Sequence, residues 1–115
     1  IDFTDFLPTL ADIANIPVPL HYGILDGLSF YPQLTGTAGT VRSSVFCQFK
    51  PATCLQTNKF ARYAQDSIYK LYDDGSFYKF KTDADELNPL ADSALTKKQK
   101  HIKQNLQTVI SAMHN

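Results

Sequence analysis

The sequence has no excess of charge of either sign: eleven Lys and Arg balance eleven Asp and Glu, for a formal net charge of +0. That balance argues against an electrostatic nucleic-acid binder, which needs a basic surplus or stripe to displace counterions. It also argues against disorder, in which low hydrophobicity goes with high net charge. No apolar run approaches the roughly 20 residues needed to cross a bilayer. No internal repeat or low-complexity tract occurs. No initiator Met, basic leader or signal-peptide core is seen, so a chain opening on Ile1 is expected to have been cut from something longer. What is present is one domain's worth of core-forming material: 115 residues, 43% hydrophobic and 19% charged, with eight Phe and six Tyr.

Cysteine is scarce. Cys47 and Cys54 are the two in the chain, with six residues between them. The three histidines, His21, His101 and His114, lie far from both in sequence, which disfavours a four-ligand zinc site. A redox dithiol would prefer C-x-x-C. A small-loop disulfide, with Pro51 favouring the turn, and two buried free thiols are the options left.

Hydrophobic spacing predicts a short helix over 5–15, with Asp5 as N-cap and Pro8 at the third helical position, where a missing N–H costs nothing. Phe3, Leu7, Leu10 and Ala14 form one stripe, flanked by Phe6 and Ile13. Asn15 before Ile16-Pro17 stops it. A helix apolar on most sides wants a partner larger than this chain supplies. Residues 17–27 read as an irregular loop and 29–34 as a single helical turn ended by Gly36. Strands are expected at 42–49, 60–65, 67–72 and 77–81. The last two form a hairpin around Asp74-Gly75, taken as a two-residue type I′ turn. In that register Tyr72 faces Phe77, Leu71 faces Tyr78 and Tyr69 faces Phe80, so Tyr69, Leu71, Tyr78 and Phe80 form the buried face. A polar connection over 82–90 leads to a helix over 97–113, opened by a Thr96/Gln99 capping box. Ile102, Leu106, Val109, Ile110 and Met113 are its one-sided stripe. Lys97, Lys98 and Lys100 sit in the first turn, where the dipole disfavours cations. The fold class is α+β: a four-stranded antiparallel sheet against a long C-terminal helix, preceded by a short amphipathic helix and an irregular loop.

Recognisable chemistry is sparse. His101 and His114 read as surface residues, and His21, beside Tyr22 in a loop, as solvent-exposed more readily than catalytic. Asp73 and Asp74 are explained by the turn, and Asp83, Asp85 and Glu86 suit a solvated connection. The calcium-loop spacing, G-x-S-x-G, a phosphate-cradling glycine loop and H-E-x-x-H are all absent. The hairpin tyrosines could stack on sugar, but their alternation fits cross-strand packing better. No residue is assigned as catalytic, cofactor-binding or metal-ligating.

Several segments together resemble a known family. Residues 1–17, with Asp5-Phe-Leu-Pro-Thr-Leu10 at their centre, are similar to the D-x-x-P-T-[LI]-x-x-x-A-G-[IV]-x-x-P helix of sulfatases. Leu25-Asp-Gly-Leu-Ser-Phe-Tyr-Pro-Gln-Leu-Thr-Gly36 follows, then Tyr69-Lys-Leu-Tyr72. Asp83-Ala-Asp-Glu-Leu-Asn-Pro-Leu-Ala91 resembles the D-P-x-E-x-x-N-L-A element. Order and spacing together resemble the C-terminal part of an arylsulfatase-like enzyme of the alkaline-phosphatase-like superfamily. Asn15 stands where the family usually has Gly, and Ala84 where an Asp-Pro pair is common. Neither Cys47 nor Cys54 lies in the C/S-x-P-S/A-R motif that yields formylglycine.

The resemblance implies a parent sulfuric ester hydrolase using formylglycine and a divalent metal, calcium, all contributed upstream. It implies no cofactor in this stretch. Residues 1–40 would end the large domain and 41–115 would form the smaller subdomain. Residues 46–51 and the His21 loop would rim the substrate cleft. The implied partners are the rest of the catalytic domain and, in the parent, a sulfated carbohydrate or aryl sulfate. Nucleic acid and membrane are not among them, and the isolated chain is expected to hide residues 3–16 by self-association or to leave them poorly ordered. A periplasmic or secreted location goes with the resemblance. The alternative is a stand-alone, non-catalytic binding or interaction module.

Overall fold

The structure, a computed structural model, describes residues 1–19, 23, 25–49 and 61–113. The chain divides into two compact units, Ile1–Ser43 and Ser44–Asn115.

The first unit holds a 3-10 turn Phe3–Asp5, helix α1 (Phe6–Ala14) and the one-turn helix α2 (Tyr31–Leu34). Asp2, and not Asp5, caps the start: its carboxylate accepts from Thr4 N at 3.0 Å, and Asp5 Oδ2 accepts in return from Asp2 N at 2.7 Å. Asp5 makes no side-chain cap to α1, because its carboxylate is used elsewhere. Pro8 does occupy the third position. At the other end Asn15 takes φ 52, and Ile16 N bonds Ala11 O at 2.9 Å, a Schellman closure. Asn is the residue that best replaces Gly in this conformation, so the departure from the family pattern leaves the turn intact. Phe3 (88% exposed), Leu7, Leu10, Ile13 and Ile16 all face outward.

The second unit is a meander of β1 (Val45–Phe49), β2 (Ala61–Gln65), β3 (Lys70–Tyr72) and β4 (Phe77–Tyr78), in the order β1-β2-β3-β4, all antiparallel. Helix α3 (Lys97–Ala112) packs over β2 and β3. The Thr96/Gln99 capping box forms as expected, with Thr96 N donating to Gln99 Oε1 at 2.8 Å. Phe46, Ala64, Leu71 and Phe77 pair across the four strands in a single row. Ala64, Leu71 and Phe77 are buried under Leu95, Leu106 and Ile110, with Phe46, Tyr69, Ile102 and Val109 packed around them. Met113 is exposed and stands outside this core.

The hairpin register differs from the sequence expectation by one residue. Tyr72 N donates to Ser76 O at 2.9 Å and Gly75 N to Tyr72 O at 3.0 Å, so the loop is Asp73-Asp74-Gly75, with Gly75 at φ 91. This three-residue loop with a left-handed glycine replaces the two-residue type I′ turn. A slip of one residue exchanges the faces of a strand. Phe77 therefore goes under α3 at 1% exposure, and Tyr78 goes to the far side with Lys70. Phe77 has no polar atom to satisfy, whereas a buried Tyr hydroxyl needs a partner, which favours this register. Phe80 lies beyond the end of β4 and is half-buried. Only Tyr69 and Leu71 of the expected face meet the core; Tyr69 stacks on Phe77 with centroids 5.3 Å apart.

The strands are also shorter than expected. Asp66 Oδ1 accepts from Ile68 N at 2.7 Å and Tyr69 N at 2.6 Å, and this turn delays β3 to Lys70. After Tyr78, a turn in which Thr82 N and Asp83 N bond Lys79 O ends β4. Among the described residues, no helix is long and apolar enough to cross a membrane.

Candidate functional site

Two polar constellations are built into the described residues, one in each unit. The first joins two of the family-like segments. Asp5 is 1% exposed, and its carboxylate accepts from Arg42 Nε at 3.0 Å to each oxygen, from Arg42 Nη2, and from Leu28 N at 2.8 Å. Arg42 Nη2 also donates to Asp26 O at 2.8 Å. Thr9, buried beside it, donates to Asp5 O at 2.6 Å and accepts from Phe30 N at 3.0 Å. Gly27 approaches the same turn so closely that a Cβ there would collide with Thr4 O. The Asp, Thr and Gly of these segments thus form a clasp between α1 and the 26–30 loop, and their work is structural.

The Arg42 guanidinium holds the Asp5 carboxyl well below the ordinary carboxylate range, aided by the Asp2 and Leu28 amides and opposed by burial. A depressed folded value means that the stabilisation is complete above the unfolded value, near 3.8, and is lost as pH falls through the folded one. The protection of backbone amides in α1, relative to the intrinsic exchange rate at each pH, is therefore expected to be unchanged from neutral pH down to about pH 4 and to be lost only in stronger acid. A loss of that protection between pH 7 and 5 would contradict the clasp.

The second constellation lies on the sheet face away from α3. Lys70 Nζ meets Glu86 Oε1 at 2.7 Å, and Tyr72 OH donates to Glu86 Oε2 at 2.5 Å. The Lys70 ammonium stands 4.0 Å from the centroid of the Tyr63 ring and 4.8 Å from that of Tyr72. Tyr72 in turn packs edge-on against Tyr78. Burial works against the Lys70 charge, but Glu86 and Tyr72 outweigh it and hold its pKa above the ordinary lysine value. Burial and Glu86 push the Tyr72 hydroxyl up, and the Cys47 thiol with burial does the same to Tyr63. Glu86 takes φ 53 to reach this site, so it is a partnered anchor and not the solvated acid its loop position suggests. Asp83 keeps the same loop in shape by accepting from Leu87 N at 3.1 Å and Asn88 N at 2.8 Å, with Ala84 in place of the family's usual residue. Sequence periodicity could not reveal the Lys70–Glu86 pair, because its partners lie sixteen residues apart on a strand and an irregular loop.

Among the described residues, no three of His, Cys, Asp and Glu converge as a metal site. The anchored carboxylates Asp5, Glu86 and Asp92 already answer to cations, namely Arg42, Lys70 and Lys103. His101 is exposed and lies 3.4 Å from Asn105 Nδ2. His21, Tyr22, Cys54 and His114 lie outside the described residues, as do Lys50 and Pro51. Of the expected rim segment, Phe46 packs into the core, Cys47 sits in β1 beside Tyr63, and Phe49 is exposed at the strand end.

No protein-family model and no curated protein sequence matches the chain. Solved structures do. BT4656, determined in complex with its substrate D-glucosamine-2-N,6-O-disulfate, superposes with a TM-score of 0.70 at 25% identity over 91% of this chain. BT1596, a 2-O GAG sulfatase, gives 0.63 at 25% identity over 94%. A candidate sulfatase from Bacteroides thetaiotaomicron VPI-5482 gives 0.65 at 24% over 94%. In each case the chain spans only 23% of the length of the matched structure. The chain thus has the fold of one part of the sulfatases and resembles the C-terminal part of such an enzyme.

Proposed function

We propose that this chain is the C-terminal part of a sulfuric ester hydrolase and contributes architecture, not chemistry, to it. The observation that carries this reading is the match of nearly the whole chain to less than a quarter of the sulfatase structures. In this reading residues 1–40 finish the large domain and 41–115 form the smaller subdomain, with 46–51 and the His21 loop beside the substrate cleft. The nucleophilic formylglycine, the calcium-class metal and the groups that hold sulfate come from upstream. The parent acts on a sulfated carbohydrate or aryl sulfate, in the periplasm or outside the cell. Without the groups that bind and attack sulfur there is no transition-state stabilisation, so the purified chain is expected to turn over no aryl sulfate above background. Turnover by the chain alone would overturn the reading. The encoding reading frame supplies the second test: an upstream C/S-x-P-S/A-R with metal-ligand aspartates is expected, and its absence would favour the stand-alone interaction module.

The outward Phe3, Leu7, Leu10 and Ile13 side chains are then the surface that the rest of the catalytic domain covers. Isolated, the chain is expected to hide them by self-association through residues 3–16 or to leave that segment poorly ordered. Changing Leu7 and Leu10 to Ser should weaken that association by about tenfold or more, since two half-exposed leucines represent over 1 kcal/mol of transferable area. Analytical ultracentrifugation with circular dichroism reads both the mass and the fold. A strictly monomeric wild-type chain with residues 3–16 firmly ordered against its own core would overturn the expectation.

A further inference from the structure

Helix α3 is a cationic element with no acid of its own. Lys97, Lys98, Lys100 and Lys103 fall in its first seven residues, and its sixteen include neither Asp nor Glu. The helix dipole opposes cations at this end. Packing does not call for them either, since the core side of α3 is Ile102, Leu106, Val109 and Ile110. Lys100, Lys103, Gln104 and Gln107 follow the i, i+3, i+4, i+7 spacing of one helix face. With Asp92 and Leu95 they line a groove of about 390 Å3, a size suited to a small ligand. Leu95, the apolar residue of this lining, is itself largely buried. Lys103 Nζ is 2.6 Å from Asp92 Oδ1, while Lys100 is exposed and takes no ion pair among the described residues.

We propose that this groove binds a sulfated saccharide. The Lys100 and Lys103 ammonium groups meet sulfate oxygens, the Gln104 and Gln107 amides meet hydroxyls, and Leu95 lies under the apolar face of the sugar ring. Charge complementarity selects the occupant. Two ammonium groups against one carboxylate leave the groove positive, and Lys97 and Lys98 extend that sign along the helix. Asp92 already answers Lys103, and a neutral sugar would leave the Lys100 ammonium without an anion. A nucleic acid would find no aromatic ring in the groove on which to stack a base. The choice of a saccharide rests on the sulfatase reading above; the groove and its charge do not.

The test uses the 115-residue chain and calorimetric titration with a heparin-derived tetrasaccharide, its desulfated counterpart and a short single-stranded DNA. The sulfated tetrasaccharide is expected to bind and the other two are not. Replacing Lys100 and Lys103 with Gln, a residue of similar helix propensity, should weaken binding by about tenfold or more, the loss of at least one charge-assisted contact. Replacing the same two with Arg should largely restore it, and Lys79→Gln with Lys81→Gln, an equal loss of charge off the helix, should leave it unchanged. Unaltered affinity in the Gln pair, an equal loss in the Lys79/Lys81 pair, equal binding of the desulfated sugar, or preference for DNA would each overturn the proposal. An upstream frame without the sulfatase motif, with groove binding intact, would overturn the enzyme reading alone. The motif present with no groove binding would overturn this proposal alone.

Discussion

Replacing Arg42 with Leu is expected to unfold the first unit while β1–β4 and α3 remain folded. The substitution removes the guanidinium from a carboxylate that is 1% exposed and leaves it with only the Asp2 and Leu28 amides. Stranding one member of a buried ion pair costs about 3–5 kcal/mol. A unit of some forty residues has little stability beyond that to lose. Amide hydrogen exchange resolved by segment measures the outcome directly: protection over residues 6–14 should vanish and that over 97–112 should persist. Replacing Asp5 and Arg42 together by Leu should recover part of the loss, because no uncompensated charge is then left inside. Full protection of α1 in the Arg42→Leu chain would show that the clasp does not hold the unit together.

The second large effect separates the two hairpin registers. Phe77→Ala removes a ring from under α3 and is expected to cost about 3–5 kcal/mol, as deep aromatic truncations do. Phe80→Ala and Tyr78→Ala, at half-buried positions, should each cost less than half as much. Urea unfolding followed by the α3 helical signal compares the three. If Tyr78→Ala were the most damaging, the two-residue turn and its register would be correct after all.

That hairpin shows where sequence reading reached its limit. The apolar alternation and the Asp-Gly turn located both strands, but two turn types differing by one residue share that signal, and they assign opposite faces to the same side chains. The decision lies in long-range packing, in which Phe77 and not Tyr78 can be sealed from water. The C-terminal helix was far more legible, since its stripe and capping box are local; it runs Lys97–Ala112 against an expected 97–113. In the first unit, composition marked α1 as a helix needing more cover than the chain provides. Asp5 read as a cap because its true partner, Arg42, is thirty-seven residues away and sat at the start of an expected strand. The family-like segments were visible as a resemblance, yet their physical content, a clasp made by Asp5, Thr9, Gly27 and Arg42, emerges only when the loop is brought back against the helix. The groove on α3 was half legible: the lysines opposing the dipole stood out, but the glutamines and the Leu95 that complete it did not.

The strand order of the second unit has a consequence for how it folds. Every strand pairs only with its neighbours in the chain, so the sheet can grow by closing one loop at a time. The β3–β4 loop is three residues and the β2–β3 connection is pinned by Asp66, so these close with little entropy loss. The longer 50–60 connection makes β1 the slower addition. Helix α3 can bury Leu106 and Ile110 only once Ala64, Leu71 and Phe77 form a row beneath it. The helix that seals the core thus owes its buried face to three strands that must already be paired.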